Sequence, residues 1–71
     1  MIEQITITTE YIRLDAALKM GGLAETGGQA KLLIQNGEVT VNGEVCMQRG
    51  RKLRPGDRAE CGGKTVGVVA A

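Results

Sequence analysis

The fold of this chain is decided by residues 25–43, Glu-Thr-Gly-Gly-Gln-Ala-Lys-Leu-Leu-Ile-Gln-Asn-Gly-Glu-Val-Thr-Val-Asn-Gly. Thr26 is a favoured N-cap residue, and Gln29, three positions later, can bond back to the Thr26 backbone amide. This pair predicts a helix that begins at about Gly27. The helix should end at Asn36-Gly37, because glycine accepts a positive φ without steric cost.

The apolar residues of this predicted helix recur with helical spacing. Ala30, Leu33 and Ile34 share one face and should be buried, with Leu32 at the margin. Another face carries Gly28, Lys31 and Gln35.

A β-hairpin is predicted directly after the helix. Val39 and Val41 alternate with Thr40, which is typical of a strand, and Asn42-Gly43 is a strong signal for a two-residue hairpin turn. A returning strand over residues 44–47 would pair antiparallel and place Thr40 opposite Val45.

An earlier helix is predicted over residues 12–20, where Leu14, Ala17 and Leu18 repeat the apolar stripe before Gly21-Gly22 ends it. A connection of only five residues, with Leu23 as its apolar plug, makes the two helices an αα-hairpin.

Strands are predicted on both sides of this helical hairpin. Residues 3–8 alternate as a β-strand does and should cover a sheet edge, while 59–61 and 65–69 form two more strands joined at Gly62-Gly63. Pro55-Gly56 predicts a type II turn before them. We therefore expect an α+β fold, a two-helix hairpin packed on a small, mainly antiparallel β-sheet with β-hairpins, in a single domain over residues 1–71.

Composition argues against catalysis. The 71 residues include no histidine and no serine, no phosphate loop is present, and the domain has little room for a pocket. Cys46 and Cys61 do not form a Cys-x-x-Cys pair, so neither zinc nor thioredoxin chemistry is indicated. Their spacing does not decide whether they form a disulfide with each other. No metal, cofactor, leader or membrane span is expected, and the cytoplasm is the expected location.

The charges are unevenly distributed although the formal net charge is only +1. Up to Gln48 six acidic residues outnumber three basic ones, whereas from Arg49 onward six basic residues face two acidic ones. Five cations lie in residues 49–58, which we call the basic segment: Arg49, Arg51, Lys52, Arg54 and Arg58. Such a local concentration of positive charge attracts polyanions.

The start of the second helix offers an anion site as well. The amides of Gly27 and Gly28 lack intrahelical partners there, and Lys31 follows one turn later on the same edge. Three alternatives stay open: the glycines only permit a tight corner, Arg13 only pairs with Asp15 or Glu10, and the basic segment only maintains solubility.

Several motifs in order carry a family resemblance: Arg13-Leu14-Asp15 with Leu18, Thr26-Gly27-Gly28-Gln29-Ala30-Lys31, Ile34, Gly37, Val39, Val41-Asn42-Gly43 and Leu53-Arg54-Pro55-Gly56-Asp57. Together, over about Ile12 to Cys61, they resemble the alpha-L RNA-binding domain of ribosomal protein S-four. The chain is most similar to the small stand-alone bacterial members, the YbcJ-like and YaaA-like proteins, because Gly27-Gly28 replaces the more usual Ser-Arg or Arg-Ser pair.

The resemblance implies RNA contacts at the start of the second helix and in the loop after it, namely at Arg13, Thr26, Gly27, Gly28, Gln29, Lys31, Gln35 and Asn42. The basic segment adds Arg49, Arg51, Lys52 and Arg54. We expect a monomeric, non-catalytic protein that binds structured RNA. The partner that the resemblance suggests is ribosomal RNA or an assembling ribosomal subunit. Two alternatives are a protein–protein adaptor with an acidic partner and an RNA-targeting subunit of an RNA-modifying enzyme.

Overall fold

The computed structural model describes residues 2–71 and contains two helices and seven strands within that range. In chain order the elements are β1 (Ile2–Ile7), β2 (Ile12–Arg13), α1 (Leu14–Met20), α2 (Gly27–Gln35), β3 (Val39–Val41), β4 (Glu44–Val45), β5 (Lys52–Leu53), β6 (Arg58–Cys61) and β7 (Lys64–Ala70). No helix in residues 2–71 is long and apolar enough to span a membrane.

Five strands form the main sheet in the order β1-β7-β6-β3-β4. Only β1 and β7 pair in parallel, and the other pairs of this sheet are antiparallel. Strands β2 and β5 form a separate antiparallel pair. The helices α1 and α2 pack against each other, and α1 also contacts β6 and β7. The predicted α+β fold, with its helical hairpin and its edge strand β1, is confirmed.

The core is aliphatic and lies where the helices meet the sheet. Leu14, Ala17 and Leu18 of α1 are fully buried, as the predicted stripe requires. In α2 the predicted stripe is buried at Ala30 and Ile34, and Leu33 is partly buried against the core. The remaining buried apolar residues are Ile5, Ile7, Ala24, Val39, Val41, Cys46, Leu53, Ala59, Val66 and Val68.

The hairpin after α2 forms as predicted. Asn42 and Gly43 both have positive φ, 51° and 87°, which suits the right-handed twist of the flanking strands. Thr40 pairs with Val45, the register expected for a two-residue turn. Gly37 ends α2 with a φ of 74°.

Three local predictions are wrong in detail. Residues 12–13 form strand β2 rather than the first turn of α1, because they pair with Lys52–Leu53, which was not predicted as a strand. The returning strand β4 spans only Glu44–Val45. Gln29 does reach back across the start of α2, but its Oε1 accepts from the amide of Glu25, at 2.7 Å, and not from that of Thr26.

Candidate nucleic-acid interface

The basic segment is fastened to the start of α1 by backbone hydrogen bonds. The amide of Leu14 donates to the carbonyl of Arg51 at 2.8 Å, and the amide of Asp15 donates to the carbonyl of Arg49 at 3.2 Å. These amides belong to the first turn of α1, which has no earlier turn to supply acceptors. The helix start is thus closed by the segment that carries the cations.

The pairing between β2 and β5 adds Arg13 to the three cations of the basic segment that lie near the start of α1, namely Arg49, Arg51 and Lys52. Arg13 lies opposite Lys52, and an ideal Cβ placed on Gly50 would be 3.8 Å from Nη2 of Arg13. Residues that are distant in sequence are therefore neighbours in space. We call Arg13, Arg49, Arg51 and Lys52 the basic cluster.

The cations of the basic cluster are exposed and mostly free of internal ion pairs. Within residues 2–71 the one salt bridge joins Nη2 of Arg13 to Oδ2 of Asp15 at 3.4 Å, and the Arg13 side chain keeps 54% of its surface exposed. Asp15 also accepts from the amide of Ala16 at 2.8 Å. An exposed ion pair of this length contributes little stability, so Arg13 stays available to an external anion.

The far end of the basic segment is held by side chains. Asp57 accepts from the amide of Arg54 at 2.8 Å and from Nδ2 of Asn42 at 3.1 Å, while Oδ1 of Asn42 accepts from the amide of Arg58 at 3.0 Å. The bond from the Arg54 amide is the main cause that lowers the pKa of Asp57, and desolvation opposes it. Asn42 and the charges of Arg51 and Arg54 lower the pKa further. The amide group of Asn42 thus joins two turns, and its predicted contact with RNA stays a prediction.

The start of α2 is capped by one side chain and is otherwise open. Oγ of Thr26 accepts from the amide of Gln29 at 3.1 Å. Gly27 and Gly28 are both exposed, and among residues 2–71 their amides have no acceptor in the first turn. An ideal Cβ on Gly27 would meet nothing within 4 Å, and one on Gly28 would meet only Oγ of Thr26 at 3.9 Å. Packing between the helices therefore does not require glycine at either position.

Lys31 and Gln35 are exposed on α2, so with Gly27 and Gly28 they form a second group of candidate contacts. In the described part of the chain, no hydrogen bond or salt bridge joins this group to the basic cluster. Arg54 is exposed, and its amide donates to Asp57, which also accepts from Asn42. That both groups contact one ligand stays a prediction.

Sequence reasoning did not place Tyr11 beside the basic cluster. Its ring lies 4.9 Å from Nζ of Lys52, and the residue is 38% exposed. The signal was present, since the only aromatic residue of the chain stands two positions before Arg13. The pairing of β2 with β5, which brings Lys52 to this place, was not predicted.

The two cysteines do not form a reactive site. Cys46 is buried, Cys61 is half-buried, and both are free thiols. Burial raises the pKa of the Cys61 thiol, and the nearby charge of Glu38 raises it further. A thiol with a raised pKa is a poor nucleophile at neutral pH.

Comparisons with known proteins identify a matching family and similar sequences. Residues 5–69 match the model of the S4 domain family. The chain is 43% identical over 63 residues to the "Probable ribosome maturation protein RlbA" of Bacillus subtilis, and the match covers 89% of each chain. It is 37% identical over 60 residues to the "Putative RNA-binding protein YbcJ" of Escherichia coli, which covers 84% of this chain and 86% of the relative.

Proposed function

Because this chain belongs to the S4 domain family, we propose that it is a non-catalytic RNA-binding protein that holds structured RNA with its basic cluster and the open start of α2. The names of the two relatives, one for ribosome maturation and one for RNA binding, support this choice of ligand. Ribosomal RNA, free or in an assembling subunit, is the RNA that we propose.

One observation carries the proposal: the backbone bonds from Leu14 and Asp15 that hold the basic segment at the start of α1. They fix the path of the main chain, so that the arginines leave it from set positions. Arginine can bind two phosphate oxygens at once through its planar guanidinium group. A cluster arranged before binding loses less conformational freedom when the phosphates arrive.

The composition favours recognition of a folded backbone over reading of a long single strand. Proteins that bind single strands use several aromatic rings, and this chain has one. Double-stranded RNA is recognised mainly by its shape and through its phosphates and 2′-hydroxyls. If about four to six phosphates are contacted, the logarithm of the affinity should fall with the logarithm of the salt concentration with a slope of roughly −3 to −5.

The test compares two double variants of equal charge. Arg49→Glu/Arg51→Glu changes the basic cluster, whereas Lys19→Glu/Lys64→Glu changes exposed lysines in α1 and at the start of β7. Each double variant loses two positive charges and gains two negative ones, so that the net charge goes from +1 to −3 in both. We expect the first to bind ribosomal RNA at least about tenfold more weakly than the second.

Equal affinity of the two double variants would contradict the proposed face. Sedimentation supplies a second measurement, because the wild type should travel with ribosomal particles at low salt and leave them at high salt. Partners that stay bound after ribonuclease treatment of a lysate would instead favour a protein–protein adaptor.

A further inference from the structure

We propose that Tyr11 and Lys52 form a site for one unpaired RNA base, which stacks on the Tyr11 ring while a neighbouring phosphate binds the ammonium group of Lys52. This inference rests on the proposed function and narrows its ligand. The RNA would be a folded one in which a bulged or terminal nucleotide lies beside a helical stem.

The main chain around Tyr11 is firmly placed although the ring is not buried. Ile12, the next residue, pairs with Leu53, and Leu53 is fully buried. Oγ of Thr9 donates to the carbonyl of Tyr11 at 2.9 Å. The ring is thus presented from a fixed backbone at the border of the basic cluster, which suits a contact that must be ready before the ligand arrives.

The fold covers Tyr11 only in part. Tyr11 keeps 38% of its surface exposed, and its contact with Lys52, at 4.9 Å from the ring centroid, is of a kind that stabilises an exposed site little. This exposed fraction of the residue is what remains with Nζ of Lys52 over the ring. A nucleotide can use both groups together, because its base has a flat face and its phosphate has a negative charge.

The neighbouring charges select a nucleotide over an apolar group from a protein. Arg13, two residues away, and Lys52 are both exposed cations, and an apolar partner would have to remove water from them without compensation. A single ring stacks a single base, so the site adds one contact to a ligand that is held mainly through its phosphates.

The experiment uses two RNA hairpins with the same number of phosphates, one with a single bulged nucleotide and one fully paired. Wild type should prefer the bulged hairpin by about tenfold, the usual effect of one stacked base. The preference should persist in Tyr11→Phe and disappear in Tyr11→Leu. Affinity for the paired hairpin should stay the same in all three proteins.

The chain offers a direct spectroscopic readout because it contains one tyrosine and no Phe, Trp or His. The NMR signals of the Tyr11 ring are therefore the only aromatic side-chain signals, and stacking should move them upfield with the bulged hairpin only. If Tyr11→Leu binds both hairpins as the wild type does and the ring signals do not move, the inference is overturned and the proposed function stands. If the wild type binds neither hairpin, both the inference and the proposed function are contradicted.

Discussion

The two helices of this protein begin in opposite ways. At the start of α1 the amides of Leu14 and Asp15 donate to carbonyls of the basic segment, and within residues 2–71 the Arg13 side chain at the N-cap position makes no capping hydrogen bond. At the start of α2, Thr26 supplies the cap, while Gly27 and Gly28 keep exposed amides. The chain itself closes one helix start and leaves the other exposed.

The difference between the two helix starts lies in what their first-turn amides meet. The first-turn amides of any helix need acceptors. In α1 the acceptors come from a distant part of the chain, so these hydrogen bonds gather cations that the sequence keeps apart. In α2 the positive end of the helix dipole remains accessible, and two small residues leave space for close approach of an anion.

The largest expected effect comes from weakening the contact between the basic segment and the start of α1. Leu53 is fully buried in β5, and Leu53→Ala should lower the free energy of unfolding by about 2–5 kcal/mol, measured by urea denaturation. Ile34→Ala, at an equally buried site in α2, is the matched control. Hydrogen exchange at the Leu14 and Asp15 amides should accelerate more in Leu53→Ala, and equal acceleration in both variants would refute this role of β5.

Removing the cap of α2 should have a smaller effect. Thr26→Ala loses the bond to the Gln29 amide, which should lower the free energy of unfolding by about 1 kcal/mol, whereas Thr26→Ser should keep most of it. Arg13→Ala, at the equivalent position of α1, should change thermal stability little, because its ion pair with Asp15 is exposed. A larger loss in Arg13→Ala than in Thr26→Ala would contradict the comparison of the two starts.

A substitution that adds a Cβ at the exposed start of α2 should weaken RNA binding without weakening the fold. Gly28→Ala meets no crowding, so the free energy of unfolding should stay unchanged or rise by up to about 1 kcal/mol, while affinity for ribosomal RNA should fall. Gly21→Ala is the control for crowding, because its Cβ would lie 2.6 Å from Cγ2 of Val66 and should destabilise the fold. Unchanged affinity in Gly28→Ala would remove the α2 start from the proposed face.

The smallest effect concerns the far end of the basic segment, which is held by a charged side chain. The pKa of Asp57 is lowered in the folded state, first by the hydrogen bond from the Arg54 amide. The contribution of Asp57 to the free energy of unfolding is therefore complete above the ordinary pKa of 3.8, and it is lost as the pH falls through the lower pKa of the folded state. Wild type should therefore lose more stability than Asp57→Asn between about pH 5 and pH 2. Parallel pH profiles of the two proteins would show that Asp57 does not contribute.

The sequence predicted the elements best where local signals decide them. The Thr26 cap, the turn at Asn42-Gly43 and the apolar stripe of α2 each depend on residues a few positions apart, and each is confirmed. Strand β2 was missed because Ile12 and Arg13 continue the helical pattern, and only their pairing with Lys52–Leu53 makes them extended. A contact between residues so distant leaves no periodic signal in either stretch.

By itself, the sequence determined the two helices, most of the strands, the tight turns and the excess of positive charge after Arg49. These features follow from backbone preferences, local hydrogen bonds and the spacing of apolar residues, which act over short distances along the chain. Only the tertiary structure decided that the basic segment closes the start of α1, that Tyr11 lies beside Lys52, and that Gly27 and Gly28 face open space. The reason is that an unpaired backbone amide can donate to any suitable carbonyl, and the packing of the whole chain selects which carbonyl it meets.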